Sequence, residues 1–131
     1  MFDSRNASNA ALAYLGDAVI ELMVRERLVE EGYTSSKTLN AKALDFVRAP
    51  AQAAAMSRIM PLLGEEEDAV FHRGRNIGHT STPKSATVSE YRAATGMEAL
   101  FGYLYITGNT ERARELFAIA YPKEGAYENK V

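Results

Sequence analysis

The chain has 131 residues, 15 Lys and Arg against 17 Asp and Glu, a formal charge of −2, 47% hydrophobic residues and no cysteine. That length suits one core and one domain, and the missing cysteines exclude a disulfide framework, a thiolate nucleophile and any Cys-ligated zinc or iron–sulfur site. Without a whole-molecule basic field, a polyanion partner has to be held by a local patch.

The first ten residues are polar and lack the charged-then-apolar order of a signal peptide. The most apolar stretch, Ala10 to Val24, is interrupted by Asp17 and Glu21 and is too short to span a bilayer. No membrane partner and a cytoplasmic location are the expectation. Periodicity, caps and breakers then divide the chain into six helices with no strand, an all-α fold in a single domain over 1–131, with a core at about 9–121 and a tail at 122–131.

The first helix is expected from near Ser8 to Glu31, stopped by Gly32. Its apolar residues cover more than one side, which predicts a helix surrounded by others rather than lying on the surface. A second helix follows the Ser35–Ser36 cap and carries Leu39, Ala43, Leu44 and Val47. Pro50 opens a third that runs to Pro61, with Ala53, Ala54 and Ala55 small enough for close packing. Glu65, Glu66 and Glu67 open a fourth, towards Arg75. The longest irregular stretch, Asn76 to Thr87, comes next, and loops of that length in compact domains are often functional. The fifth helix spans about Val88 to Ile106 and the sixth Thr110 to about Ala120, before Pro122.

Two acids sit where helix packing does not favour them. Asp17 lies in Leu15-Gly16-Asp17-Ala18-Val19, flanked by apolar residues, and an unpaired buried carboxylate is costly. Gly16 beside it removes bulk and allows a close approach. A partly buried aspartate paired with an arginine is the simpler structural account of it. Glu98 repeats the pattern, with Thr95 and Gly102 as small residues at i−3 and i+4 on its own face. If the two faces meet, the carboxylates offer oxygen ligands to a hard divalent cation; Mg²⁺ is bound by one or two carboxylates with water or phosphate oxygens completing its shell.

Cations complete the constellation. Between His72 and Arg92 stand Arg73, Arg75, Lys84 and Arg92 against the single acid Glu90. Arg73, Arg75, Asn76, His79 and Lys84 are candidates for gripping phosphates and hydroxyls, although cations at a helix end also simply complement its dipole. No phosphate-binding P-loop, dinucleotide fingerprint, serine nucleophile elbow or H-E-x-x-H zinc motif is present. Tyr103 and Tyr105 read as packing residues.

Leu15-Gly16-Asp17-Ala18-Val19 resembles the signature of the ribonuclease III family, and Glu98-Ala99-Leu100-Phe101-Gly102-Tyr103-Leu104-Tyr105 resembles its second acidic motif. Arg73-Gly74-Arg75-Asn76, Thr82-Pro83-Lys84 and Tyr91-Arg92 look like the pattern of its short Mini-III members, which lack an appended double-stranded-RNA-binding domain. The resemblance covers roughly Asn9 to Leu116. It implies a dimeric helical endonuclease domain in which Asp17 and Glu98 are catalytic, metal-binding carboxylates. The larger enzymes carry a further glutamate where this chain has Ala13 and an aspartate where it has Thr95, so half of their four-acid cluster is absent; Mini-III sequences look alike in lacking both.

By that resemblance the chain is expected to be an Mg²⁺-dependent endoribonuclease acting on double-stranded RNA as a homodimer. Its products would carry 5′-phosphate and 3′-hydroxyl ends with a short 3′ overhang. Maturation of large-subunit (23S-type) ribosomal RNA precursor ends is the implied role, with a ribosomal protein on the substrate as a further partner. A non-catalytic RNA-binding or ribosome-associated module on the same fold is the alternative, favoured by Ala13 and Thr95.

Overall fold

Helix α1 (Asn9–Glu30) begins where the Ser8 hydroxyl accepts the Ala11 amide at 3.0 Å, and it closes at Gly32, whose φ of +95° suits only glycine comfortably. The structure is a computed structural model that describes residues 6–77 and 86–123. Helix α2 (Ser36–Val47) is capped by the Ser35 side chain on the Thr38 amide, and α3 (Ala49–Ile59) carries Pro50 in its first turn. The sequence predicts that α3 runs to Pro61. The α-helix instead ends at Ile59, and Met60–Leu62 form a 3-10 turn, because proline at 61 has no amide to continue the α-helical ladder.

Helix α4 (Glu65–Arg75) is held at its start by the Glu67 carboxylate accepting from the Gly64 amide at 2.8 Å, with three glutamates on the positive end of its dipole. Helix α5 (Val88–Ile106) opens on a reciprocal box: the Glu90 amide donates to the Thr87 hydroxyl and the Thr87 amide to the Glu90 carboxylate. Helix α6 (Thr110–Ala120) follows a tight turn at Gly108. No strand occurs among the described residues. None of their helices is long and apolar enough to cross a membrane.

Helix α5 is the axis of the domain, with α1, α3, α4 and α6 all packed against it. Met97, Leu100, Phe101 and Leu104 meet Ile20, Val24 and Leu28 of α1, Met56 and Ile59 of α3, and Leu116 of α6, all essentially sealed from solvent. Each such side chain contributes roughly 1.5–3 kcal/mol through burial. A smaller cluster joins Leu12 and Ala13 of α1 to Val70 of α4 and Ala99 of α5. Of the alanine run in α3, Ala55 is buried and Ala54 is exposed.

The expectation that α1 is enclosed on all sides is corrected. Its buried residues share one face, while Tyr14 is 85%, Leu22 50% and Val29 65% exposed on the other. The other helices of the chain approach α1 from one side, so the opposite stripe is left open. Tyr103 packs against both clusters as expected, whereas Tyr105 is largely exposed.

Candidate active site

The site is made by a crossing of α1 and α5 at glycine. A Cβ built on Gly16 would lie 1.5 Å from the Glu98 carbonyl oxygen, and one on Gly102 would lie 2.0 Å from the Leu12 carbonyl oxygen. The two backbones are therefore in direct contact, closer than any side chain permits. Asp17 follows Gly16 in the chain, and Glu98 supplies the carbonyl that Gly16 touches. The crossing thus turns two residues 81 positions apart into facing carboxylates.

The electrostatics of Glu98 reflect its neighbour. Glu98 is half-buried, and its carboxyl is pushed up to about 8, first by desolvation, then by the Asp17 charge, and then by a hydrogen bond with Asp17. A carboxylic acid in that range keeps its proton near neutral pH and donates it to its neighbour. The simpler account from sequence, a partly buried Asp17 paired with an arginine, is corrected: Asp17 is exposed and has no ion pair among the described residues. It sits at the rim of the crossing, where a carboxylate keeps its solvent.

The positions at which larger enzymes of the family resembled carry acids are filled differently. Ala13 is buried against Val70 and Ala99, and Thr95 is buried with its hydroxyl donating to the Tyr91 carbonyl of its own helix at 3.1 Å. Among the described residues no group of three or more His, Asp or Glu is arranged to hold a metal. The candidate site offers two carboxylates among the described residues. Its donor set fits a hard divalent cation: two oxygen-bearing groups converge, and their mutual repulsion, relieved here by a shared proton, is what a cation would relieve instead.

A second crossing brings in positive charge. A Cβ on Gly74 would lie 2.5 Å from the Ala99 Cβ, and one on Gly96 would lie 2.7 Å from the Phe71 ring. The last turn of α4 is therefore laid on α5 at Gly96–Ala99, beside Glu98. Arg73, Arg75 and Asn76 leave that turn exposed, and neither arginine has an ion-pair partner among the described residues. His72 is tied to its own helix, its Nδ1 2.9 Å from the Asp68 carbonyl oxygen. His79 and Lys84, the other expected contacts, lie outside the described residues. The sequence reading missed Gly74 and Gly96 as the residues that dock the cationic turn. Their signal was present, since glycine inside a helix is about 1 kcal/mol worse than alanine and persists where bulk is forbidden.

Similarity to known proteins gives the family. The model of the ribonuclease III domain matches residues 10–109. The chain belongs to the ribonuclease III domain family, a class of endoribonucleases that act on double-stranded RNA. Within that family it is similar to proteins named Mini-ribonuclease 3: 51% identical over 109 residues to that of Symbiobacterium thermophilum, covering 83% of this chain and 84% of that one. It is 39% identical over 132 residues to that of Enterococcus faecalis, covering 99% and 100%. A crystal structure of a Fusobacterium nucleatum protein superposes with a TM-score of 0.81 at 31% identity over the full length of both chains.

Proposed function

We propose that this chain cleaves double-stranded RNA by hydrolysing phosphodiester bonds at the Asp17–Glu98 pair, using Mg²⁺ held between those carboxylates. The observation that carries the reading is the pair itself, two acids converged by a glycine crossing, one of them pushed up to about 8, beside Arg73 and Arg75, which have no ion-pair partner among the described residues. Bound there, Mg²⁺ would supply Lewis-acid polarisation of the phosphate and a more acidic water. Asp17, exposed at the rim, presents its carboxylate to the side from which a backbone phosphate arrives. Asp17 and Glu98 would hold the cation, Glu98 as a carboxylate with its proton released to solvent. Arg73, Arg75 and Asn76, with His79 and Lys84 of the following segment, hold backbone phosphates and 2′-hydroxyls, and so read A-form shape more than sequence. The products expected are 5′-phosphate and 3′-hydroxyl ends.

The open stripe on α1, with Tyr14 three residues before the acid and Leu22 five after it both exposed, supports a two-fold homodimer. A two-fold axis places one site on each strand of a duplex and leaves a short 3′ overhang. The natural substrate proposed is the stem pairing the ends of a large-subunit (23S-type) ribosomal RNA precursor, with a ribosomal protein bound. The second reading, a non-catalytic RNA-binding module, is favoured by one observation: Ala13 and Thr95 are buried and provide no acid.

Incubation of a long RNA duplex with Mg²⁺ separates the two. The wild type is expected to cut, and Asp17→Asn and Glu98→Gln to lose cutting while still binding. Cleavage surviving in both variants overturns the metal assignment, and an inert wild type across several duplexes favours the module. Sedimentation of Tyr14→Arg/Leu22→Arg tests the dimer, with a shift to monomer expected.

A further inference from the structure

A cavity of about 740 Å³ opens at the far end of α1, between that helix, α2, α3 and the residues after α6. Arg27, which lines it, lies ten residues beyond Asp17, about 15 Å along the helix at 1.5 Å per residue. Neither Asp17 nor Glu98 lines the cavity, and it lies within the size range of small-molecule sites.

Its walls gather four cations from four segments: Arg27 of α1, Lys42 of α2, Arg58 of α3 and Lys123. Glu31 and Asp45 are the two acids of the lining, and neither forms an ion pair with any of the four among the described residues. Arg27 is the most telling. It is 7% exposed, yet its partners among the described residues are the Tyr121 carbonyl at 2.7 Å and the rings of Phe46 and Phe117 at 5.8 and 5.2 Å, with no carboxylate. A buried guanidinium normally sits against an anion. Arg58 donates to the neighbouring Ala120 carbonyl at 2.7 Å, so two guanidinium groups converge on one end of α6. Lys42 is held with its ammonium 5.5 Å above the Tyr33 ring, which keeps a third cation at the wall. Tyr33, Phe46 and Tyr121 add aromatic rings to the lining.

A helix C-terminus accounts for one or two of these cations through its dipole. It does not account for Lys42, which sits on α2 over an aromatic ring, or for the size of the cavity. Four cations against two acids, beside aromatic rings, are the chemistry that recognises a nucleotide unit: phosphate on the cations, base on a ring. We propose that this cavity is a second phosphate-binding site, taking a nucleotide unit either as a free mononucleotide or as part of an RNA strand extending beyond the cleaved bond. In its free-ligand form the proposal stands apart from the nuclease reading; in its RNA form it rests on that reading.

The test uses the full chain in metal-free buffer with EDTA, so that no RNA is cut. Adenosine 5′-monophosphate and inorganic phosphate are titrated while amide and arginine side-chain signals are followed by NMR. Shifts are expected at Arg27, Tyr33, Lys42 and Arg58, and the surface substitution Lys42→Glu should weaken binding of the mononucleotide about tenfold. In parallel, the salt dependence of duplex RNA binding is compared for wild type and Lys42→Glu. A log–log salt slope reduced by about one assigns the site to RNA phosphate. An unchanged slope with mononucleotide binding lost assigns it to a free ligand. No shift at these residues together with an unchanged slope overturns the proposal. Mn²⁺ binding by Asp17 and Glu98, measured on the same variant, is expected to be unchanged, so failure here and failure of the nuclease reading are told apart.

Discussion

Gly16 and Gly102 face each other across the α1–α5 crossing, each so close to the opposite backbone that a methyl group on either would fall within about 2 Å of a carbonyl oxygen. Because the obstacles are backbone atoms, no rotamer change can clear them. The same contact that packs the two helices also sets the separation of Asp17 and Glu98.

Replacing Gly16 or Gly102 by alanine should therefore act on stability and chemistry together. Alanine recovers up to about 1 kcal/mol of helix propensity, but prising the backbones apart costs about 1–3 kcal/mol or more, as overpacking does. The expected result is a lower melting temperature and at least a tenfold loss of duplex cleavage in protein that is still helical by circular dichroism. A Gly102→Ala variant as active as wild type would show that the spacing of the acids does not depend on this crossing.

The raised Glu98 carboxyl makes stability pH-dependent in a definite direction. With a folded-state value near 8 against an ordinary value of 4.5, the native chain holds a proton that the unfolded chain releases. The contribution is fully present below about pH 4.5 and is lost as the pH rises towards 8, at up to about 1.4 kcal/mol per pH unit. Metal-free protein should therefore lose melting temperature between pH 5 and 8, and Glu98→Gln should flatten that slope. Added Mg²⁺, which has to displace the proton, should stabilise the wild type more at pH 8 than at pH 5.

Charge reversal at Arg73 and Arg75 should weaken duplex binding without weakening the fold, since both side chains are exposed. Every RNA phosphate that no longer meets a cation should lower the log–log salt slope by about 0.9 to 1. Normal binding by the double variant would remove the end of α4 from the RNA-contacting surface.

Arg112 of α6 ties two helices and the turn between α3 and α4. Its Nε donates to the Glu67 carboxylate at 2.8 Å, one terminal nitrogen to the Leu62 carbonyl at 2.8 Å, and the other to Glu115. Glu67 is held below the usual carboxylate range by that guanidinium, so its contribution is present above about pH 4.5 and is lost as the pH falls below it. Arg112→Ala should lower stability by about 1–2 kcal/mol, a partly exposed pair being screened by solvent. Cleavage measured well below the new melting temperature should be nearly unaffected, which separates this clamp from the site.

Much of this architecture is legible along the chain because it depends on neighbours. Ser8, Ser35 and the Thr87–Glu90 box start helices through bonds spanning three residues, and Gly32 and Gly108 end them through a backbone angle. Asp17 and Glu98 stand out for the same reason, as lone acids inside apolar helical runs. What an apolar stripe does not reveal is which of its sides finds a partner, so the sequence predicts an enclosed α1, yet Tyr14, Leu22 and Val29 are open. Nor does spacing reveal that Asp17 reaches solvent while Glu98 is desolvated, a difference of where each falls relative to one crossing.

The sequence by itself determined six helices, most of their limits and the two acids, because propensity, capping and breaking act over a few residues. Only the tertiary structure decided that Gly16 and Gly102 let two backbones touch, that Gly74 and Gly96 lay a cationic turn beside Glu98, and that Arg27, Lys42, Arg58 and Lys123 share one cavity. Those relations join residues tens of positions apart. They depend on the angle and depth at which helices cross, which contact between whole surfaces decides and no local run of residues encodes.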